Sequence, residues 1–220
     1  TMVFGFPGTT DEYLPAVAIE HITKAYNPSN IAIREAALKV IDAKMKESDE
    51  VRIKYASKQA RIANAWKKWI GENLGIEKSN AIEERRAFEA TFKKALKEKG
   101  LETKYGNILP EFDVLYENFA DINIKRRSFI EVFLVTNELM NMTFRTYQFE
   151  QAIKNNPDIF DKAKASIEGT ITGIHKNYDV NVDKGVFESV MPFYTNNVDV
   201  SIYNNTAFTS LDTALKLFEG

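Results

Sequence analysis

Base catalysis or imidazole ligation at neutral pH would have to run through His21 or His175, the two histidines of the chain. His21 lies in AIEHITKAY and His175 near a predicted helix end in TGIHKNY, and neither has a second histidine at helical spacing. No metal site is read from them, and no cofactor. The chain has no cysteine, which excludes disulfides and thiolate chemistry. A G-x-S-x-G elbow, a phosphate-cradling glycine loop and H-E-x-x-H are all missing. Two charge runs, Glu83–Arg86 and Lys125–Arg127, read as solvated faces, with an interdomain salt bridge as the other use of Arg126 and Arg127. What stands out instead is an amide. Asn64 shares one helix face with Ser57, Ala60, Arg61 and Lys68. That face is either simply solvated or offers polar groups to a ligand.

The helix that carries Asn64 is read over Val51–Glu72. Its apolar residues Val51, Tyr55, Ile62, Trp66, Trp69 and Ile70 fall within about 60° of one line at about 100° per residue. Both tryptophans lie on that stripe, so this helix is expected to bury the most aromatic surface and to organise the packing of the rest. A chain of 220 residues with 44% hydrophobic content supports a substantial core. Its net charge of −2 gives no bulk attraction to nucleic acid or to an anionic membrane. No apolar run approaches the about 20 residues that span a bilayer.

The remainder reads as mostly helical. Residues 11–25 form a short helix or an irregular connection. Asn27–Asn30 starts a helix whose stripe of Ile31, Ala37, Leu38, Ile41 and Met45 runs to about Ser48. Gly75 is a stop signal. Asn80 with Glu83 fits a capping box before Ile82, Phe88, Phe92 and Leu96, and Lys97, Lys99 and Gly100 close that helix. Lys104–Leu109 reads as a loop, and Pro110 opens one long segment from Glu111 to about Met142 or Ile153. Asn156-Pro157-Asp158 starts another helix, with Phe160, Ala163, Ile167, Ile171 and Ile174 on one face. A turn at Asn177–Asn181, a helix over Val182–Tyr194, a loop or extended piece at Asn196–Asn205 and a last short helix at Ser210–Phe218 complete the chain. The fold class is all-α, an irregular bundle of about eight helices. The apolar, glycine-rich start, Met2–Gly8, reads as a lone strand cut from something larger.

Three segments carry a family resemblance. GFPGTT at Gly5–Thr10 with Tyr13-Leu14, IKYASK at Ile53–Lys58, and NAWK at Asn64–Lys67 with Ile70-Gly71 together resemble the bacterial serine dipeptidyl peptidases, serine peptidase family 46, the group of dipeptidyl peptidases 7 and 11. A later stretch, Tyr178–Asp183 with Val186-Phe187, is similar to a further segment of that family.

The resemblance implies that residues 1–10 are the end strand and hinge of a chymotrypsin-like β-barrel, and that 11–220 are an α-helical cap inserted between two barrel halves. Gly5, Pro7 and Gly8 would form the hinge, the glycines permitting a sharp exit and Pro7 fixing one side. It further implies an exopeptidase that removes dipeptides from free peptide N-termini, with its Ser-His-Asp triad outside this segment. The implied partners are a peptide with a free N-terminus and the barrel halves of the same polypeptide. Neither nucleic acid nor membrane is a partner, and the full-length protein is read as a homodimer, periplasmic or at the cell surface of a Gram-negative bacterium. Within the chain, Asn64 matches the family's asparagine for the substrate α-ammonium, which needs an acceptor such as an amide carbonyl. Ser57 is the other candidate, as a cleft-lining residue. Tyr55 is read as core with its hydroxyl at the boundary, and Lys58 as half of a structural ion pair. Two alternatives stay open: a stand-alone helical peptide- or protein-binding module without catalysis, and a small enzyme built on His21 or His175.

Overall fold

The computed structural model describes residues 13–199, together with 212 and 215–218. Strand 1–10, hinge residues Gly5, Pro7 and Gly8, and most of the expected last helix lie outside the described residues. The described chain is all-α: α1 (Ala16–His21), α2 (Asn27–Glu47), α3 (Asp49–Lys78), α4 (Ala81–Glu98), α5 (Glu102–Tyr105), α6 (Ile108–Phe129), α7 (Glu138–Asn155), α8 (Phe160–Asn177) and α9 (Val180–Thr195). No described helix is long and apolar enough to cross a membrane.

Where the structure departs from the sequence reading, side-chain chemistry explains it. α2 begins at Asn27, as the sequence reading has it, but without a break from the turn before it. Pro28 cannot donate, and its ring crowds the carbonyl four residues back. The chain absorbs this by widening into a π-turn, Ile22–Tyr26, with the Asn27 amide bonded to the Ile22 carbonyl, and α1 runs on into α2. Asn27 also ties helices together, its buried Nδ2 donating to Glu72 Oε2 at 3.0 Å and Asn73 Oδ1 at 2.8 Å. Gly75 does not stop α3, which ends at Lys78 before Asn80 turns into the left-handed region at φ 50°. In that conformation Asn80 makes no side-chain cap, so the capping box is not formed. The end of α4 is as expected. Gly100 has φ +65°, and the Leu101 and Gly100 amides reach back to the Leu96 and Lys97 carbonyls, a Schellman closure.

The long segment after Pro110 is broken. It runs as α6, widens to a π-turn at Ile130–Val135, and restarts at α7. The restart is held from two sides. Asn137 Oδ1 accepts from the Met140 amide at 2.9 Å. Asp183 of α9, 2% exposed, accepts from the Glu138 and Leu139 amides at 2.8 and 2.9 Å. A carboxylate at a helix start satisfies two otherwise unbonded amides. Burial nevertheless dominates and pushes the Asp183 carboxyl up to about 7, against those two amide bonds and the Tyr178 hydroxyl.

Between about pH 4 and pH 7 the folded chain therefore keeps a proton that the unfolded chain has lost. The Asp183 contribution to stability is fully present below that window, is lost as pH rises through it and is level above. The expected fall is about 2–4 kcal/mol, read from the denaturant midpoint at about pH 4 and pH 8. Asp183→Asn flattens it; a slope that survives the substitution would contradict this account.

The core lies among α2, α9 and the π-turn before α7. Ile33, Ala37 and Ile41 of α2 meet Val182, Val186, Phe187, Val190 and Met191 of α9, with Val132 and Phe133 between them. The aromatic centre is Phe133, with Tyr194 edge-on at 4.8 Å and Phe187 at 5.8 Å. The expectation that α3 organises the packing is corrected here. Highly charged α3 buries one stripe, Tyr55, Ile62, Ala63 and Trp69, whereas α9 buries seven residues over about half of its circumference and fills the centre.

Candidate functional site

Of the α3 stripe, Tyr55, Ile62 and Trp69 are buried and Val51, Trp66 and Ile70 half-buried, and the opposite face is in solvent: Ser57, Ala60, Arg61, Asn64 and Lys68 are all exposed. IKYASK proves to be a clamp. Lys58 Nζ contacts Glu138 Oε1 at 2.6 Å and donates to the Asn177 carbonyl at 2.5 Å, while the Tyr55 hydroxyl lies 2.9 Å from the same carboxylate oxygen and 3.2 Å from the Asp179 carbonyl. Tyr55 and Lys58, three apart on one helix, thus gather the start of α7, the end of α8 and the cap of α9. Burial and the neighbouring carboxylates push the Tyr55 phenol well above its ordinary range, so it serves as a fixed donor. The readings of Tyr55 as boundary core and Lys58 as a structural ion pair agree with this geometry.

A second anchor lies beneath α3. Glu131 is fully buried and receives Arg34 Nε at 2.8 Å and Nη2 at 3.3 Å, with the Arg127 guanidinium on the same carboxylate. Arg34 also donates to the Ile62 carbonyl at 3.2 Å and stacks 4.6 Å over the Trp69 ring. Arg127 is therefore part of an internal network, not a solvated face. The Arg34–Glu131 pair spans 97 residues and carries no local signal; Arg127–Glu131, an i,i+4 pair, was the visible part of it.

Between α3 and the α7–α8 hairpin lies a cleft of about 610 Å³. Lys58 and Arg61 line it from α3, Asn141 and Arg145 from α7, and Gly169, Thr170 and Gly173 from α8, with Arg34 and Asn137 deeper. A Cβ placed on Gly169 or Gly173 would meet nothing within 4 Å, so the α8 wall is open. Asn64 stands one turn beyond Arg61, outside the lining, and its amide makes no hydrogen bond to the described residues. Ser57 is exposed and also outside the lining. The histidines are elsewhere. His21 Nε2 accepts from Asn123 Nδ2 at 2.9 Å and packs against the Tyr116 and Phe119 rings, and burial lowers its pKa. Exposed His175 borders an apolar groove with Leu139, Met142 and Tyr178. Neither bonds a carboxylate among the described residues.

A family profile described as Peptidase S46 matches residues 1–212. The chain belongs to that family. Among its S46 relatives, an Asp/Glu-specific dipeptidyl-peptidase of Flavobacterium psychrophilum is 40% identical over 195 residues, 88% of this chain and 27% of the relative. Dipeptidyl-peptidase 7 of Phocaeicola vulgatus is 33% identical over the same length and likewise 27% covered. The chain thus spans about a quarter of the curated S46 relatives that it matches. The fold is similar to that of DPP11 from Porphyromonas endodontalis, solved with the dipeptide Arg-Glu, at TM-score 0.70 and 18% identity, over 98% of this chain and 34% of that one. The S46 resemblance read from Gly5–Thr10, Ile53–Lys58 and Asn64–Lys67 is therefore shown for the family and the fold.

Proposed function

We propose that this chain is the α-helical cap domain of a serine dipeptidyl peptidase that removes dipeptides from free peptide N-termini. The triad is supplied by β-barrel halves of the same polypeptide, and Asn64 receives the substrate α-ammonium. The observation that carries this reading is Asn64 itself: an exposed amide with no internal partner, fixed on a helix whose other side is anchored by Tyr55, Ile62 and Trp69. A group that binds nothing of its own chain yet sits on a rigid element is preorganised for a ligand. Ser57 shares that exposed face and would face the barrels, outside the α3–α7–α8 cleft, with Gly5, Pro7 and Gly8 as the hinge.

Exposed apolar residues support a covered cap. Along α6, Ile108, Phe112, Leu115, Phe119 and Ile122 recur at spacings of three and four, and every one is exposed. A stripe of that kind is normally covered by another element. The intact enzyme is read as an exported, homodimeric protein of the periplasm or cell surface. The test compares the intact protein with the 220-residue chain on dipeptidyl-amide substrates. Release of dipeptides by the intact protein and none by the chain is expected; turnover by the chain alone would overturn the reading.

A second reading, a stand-alone peptide-binding module, is favoured by one observation: a cleft of about 610 Å³ lies between α3 and the α7–α8 hairpin of this chain. It predicts peptide binding by the chain on its own.

A further inference from the structure

We infer that Arg61, assisted by Arg145 across the cleft, binds the side-chain carboxylate of peptides whose first residue is Asp or Glu. The inference rests on the ammonium-binding reading of Asn64 and adds a substrate class to it. Its basis is the charge left over in the cleft. Four cations border it, Arg34, Lys58, Arg61 and Arg145, against one lining carboxylate, Glu138. Arg34 is neutralised by Glu131 and Lys58 by Glu138. Arg145 uses Nε on Asn141 Oδ1 at 2.7 Å, which leaves its terminal nitrogens, and neither Arg61 nor Arg145 has a carboxylate partner among the described residues. In a chain of net charge −2, two unneutralised guanidiniums facing one cleft are a local feature and not a general surplus.

Geometry assigns the ligand. On α3, Arg61 lies about 60° around the helix from Asn64 on the cleft side, their Cβ atoms about 5–6 Å apart. Lys68, on the same side, is taken by Glu72 at 2.8 and 2.9 Å, and Lys67 lies on the side away from the cleft. An α-ammonium held by Asn64 and the side chain of that same first residue leave one Cα. The side chain therefore has the cleft, and Arg61, on one flank. Arg61 lines the cleft and Asn64 does not, so the guanidinium stands on the cleft side of the amide, where the side chain of the first residue would lie. Guanidinium forks match carboxylates in a way that lysine does not. The α8 wall of Gly169 and Gly173 leaves space for the side chain.

The experiment uses the intact protein and substrates that differ only at the first residue, Glu against Gln, with kcat/KM as readout. A Glu/Gln ratio of at least about tenfold is expected, the effect of one charge-assisted contact. Arg61→Gln brings it close to unity, and Arg145→Gln lowers it in part. Asn64→Ala weakens both substrates in proportion and leaves the ratio standing, which separates the two ideas. Calorimetry with Glu-Gly and Gln-Gly reads the same preference without turnover. A parent ratio near one by both methods, or a ratio that Arg61→Gln does not change, would overturn the inference.

Discussion

Asn64→Ala in the intact enzyme is expected to lower kcat/KM for dipeptide release by about 10- to 150-fold, the kinetic equivalent of about 1.5–3 kcal/mol for a hydrogen bond to a charged group. Asn64 is exposed and makes no hydrogen bond within the described chain, so removing the amide takes nothing from the folded domain. The melting temperature should stay within a degree or so, since exposed positions rarely cost more than about 0.5 kcal/mol. A lost rate with unchanged stability identifies substrate contact. The opposite pattern, an unchanged rate, would remove Asn64 from the site. Asn64→Lys should be worse than alanine, because it replaces an acceptor by a cation facing the ammonium.

The largest stability effect belongs to Glu131. It is fully buried between Arg34 and Arg127, so Glu131→Gln leaves buried guanidinium charge without its counter-ion. Breaking one side of such a pair costs about 3–5 kcal/mol, more than the pair itself contributes. Arg34 cannot escape to water, because it is also bonded to the Ile62 carbonyl and stacked on Trp69. The measurement is the urea midpoint of Glu131→Gln, together with that of Arg34→Met combined with Glu131→Leu. The double variant should recover part of the loss, since only the Arg127 charge, on a side chain that still reaches the surface, is then left without its carboxylate. A single-variant loss below about 1 kcal/mol would show the network to be dispensable.

These two residues also show how far the sequence could be read. The face carrying Asn64 was legible because helical period sorts side chains by angle, and α3 is long and regular. The all-α class and the Gly100 closure were legible for the same kind of reason, since each depends on neighbours within a turn or two. What could not be read depends on distant partners. The break before α7 is held by Asp183, 45 residues on from Glu138, and the floor of the cleft by a pair 97 residues apart. The π-turn before Pro28 shows a third limit. Proline marks the start of α2 correctly, but the wider turn that joins α1 to it carries no signal in the residues alone. The central place belongs to α9 and not to α3, because α9 buries seven residues on one broad face while tryptophan-bearing α3 buries a narrow stripe of four.

The most direct measurement is a crystal structure of the intact protein with a dipeptide bound. The account predicts the peptide amino nitrogen about 2.7–3.2 Å from the Asn64 side-chain oxygen, with α3 forming one wall of the occupied cleft. An amino terminus held elsewhere, with the Asn64 amide still in bulk solvent beside a bound peptide, would contradict it.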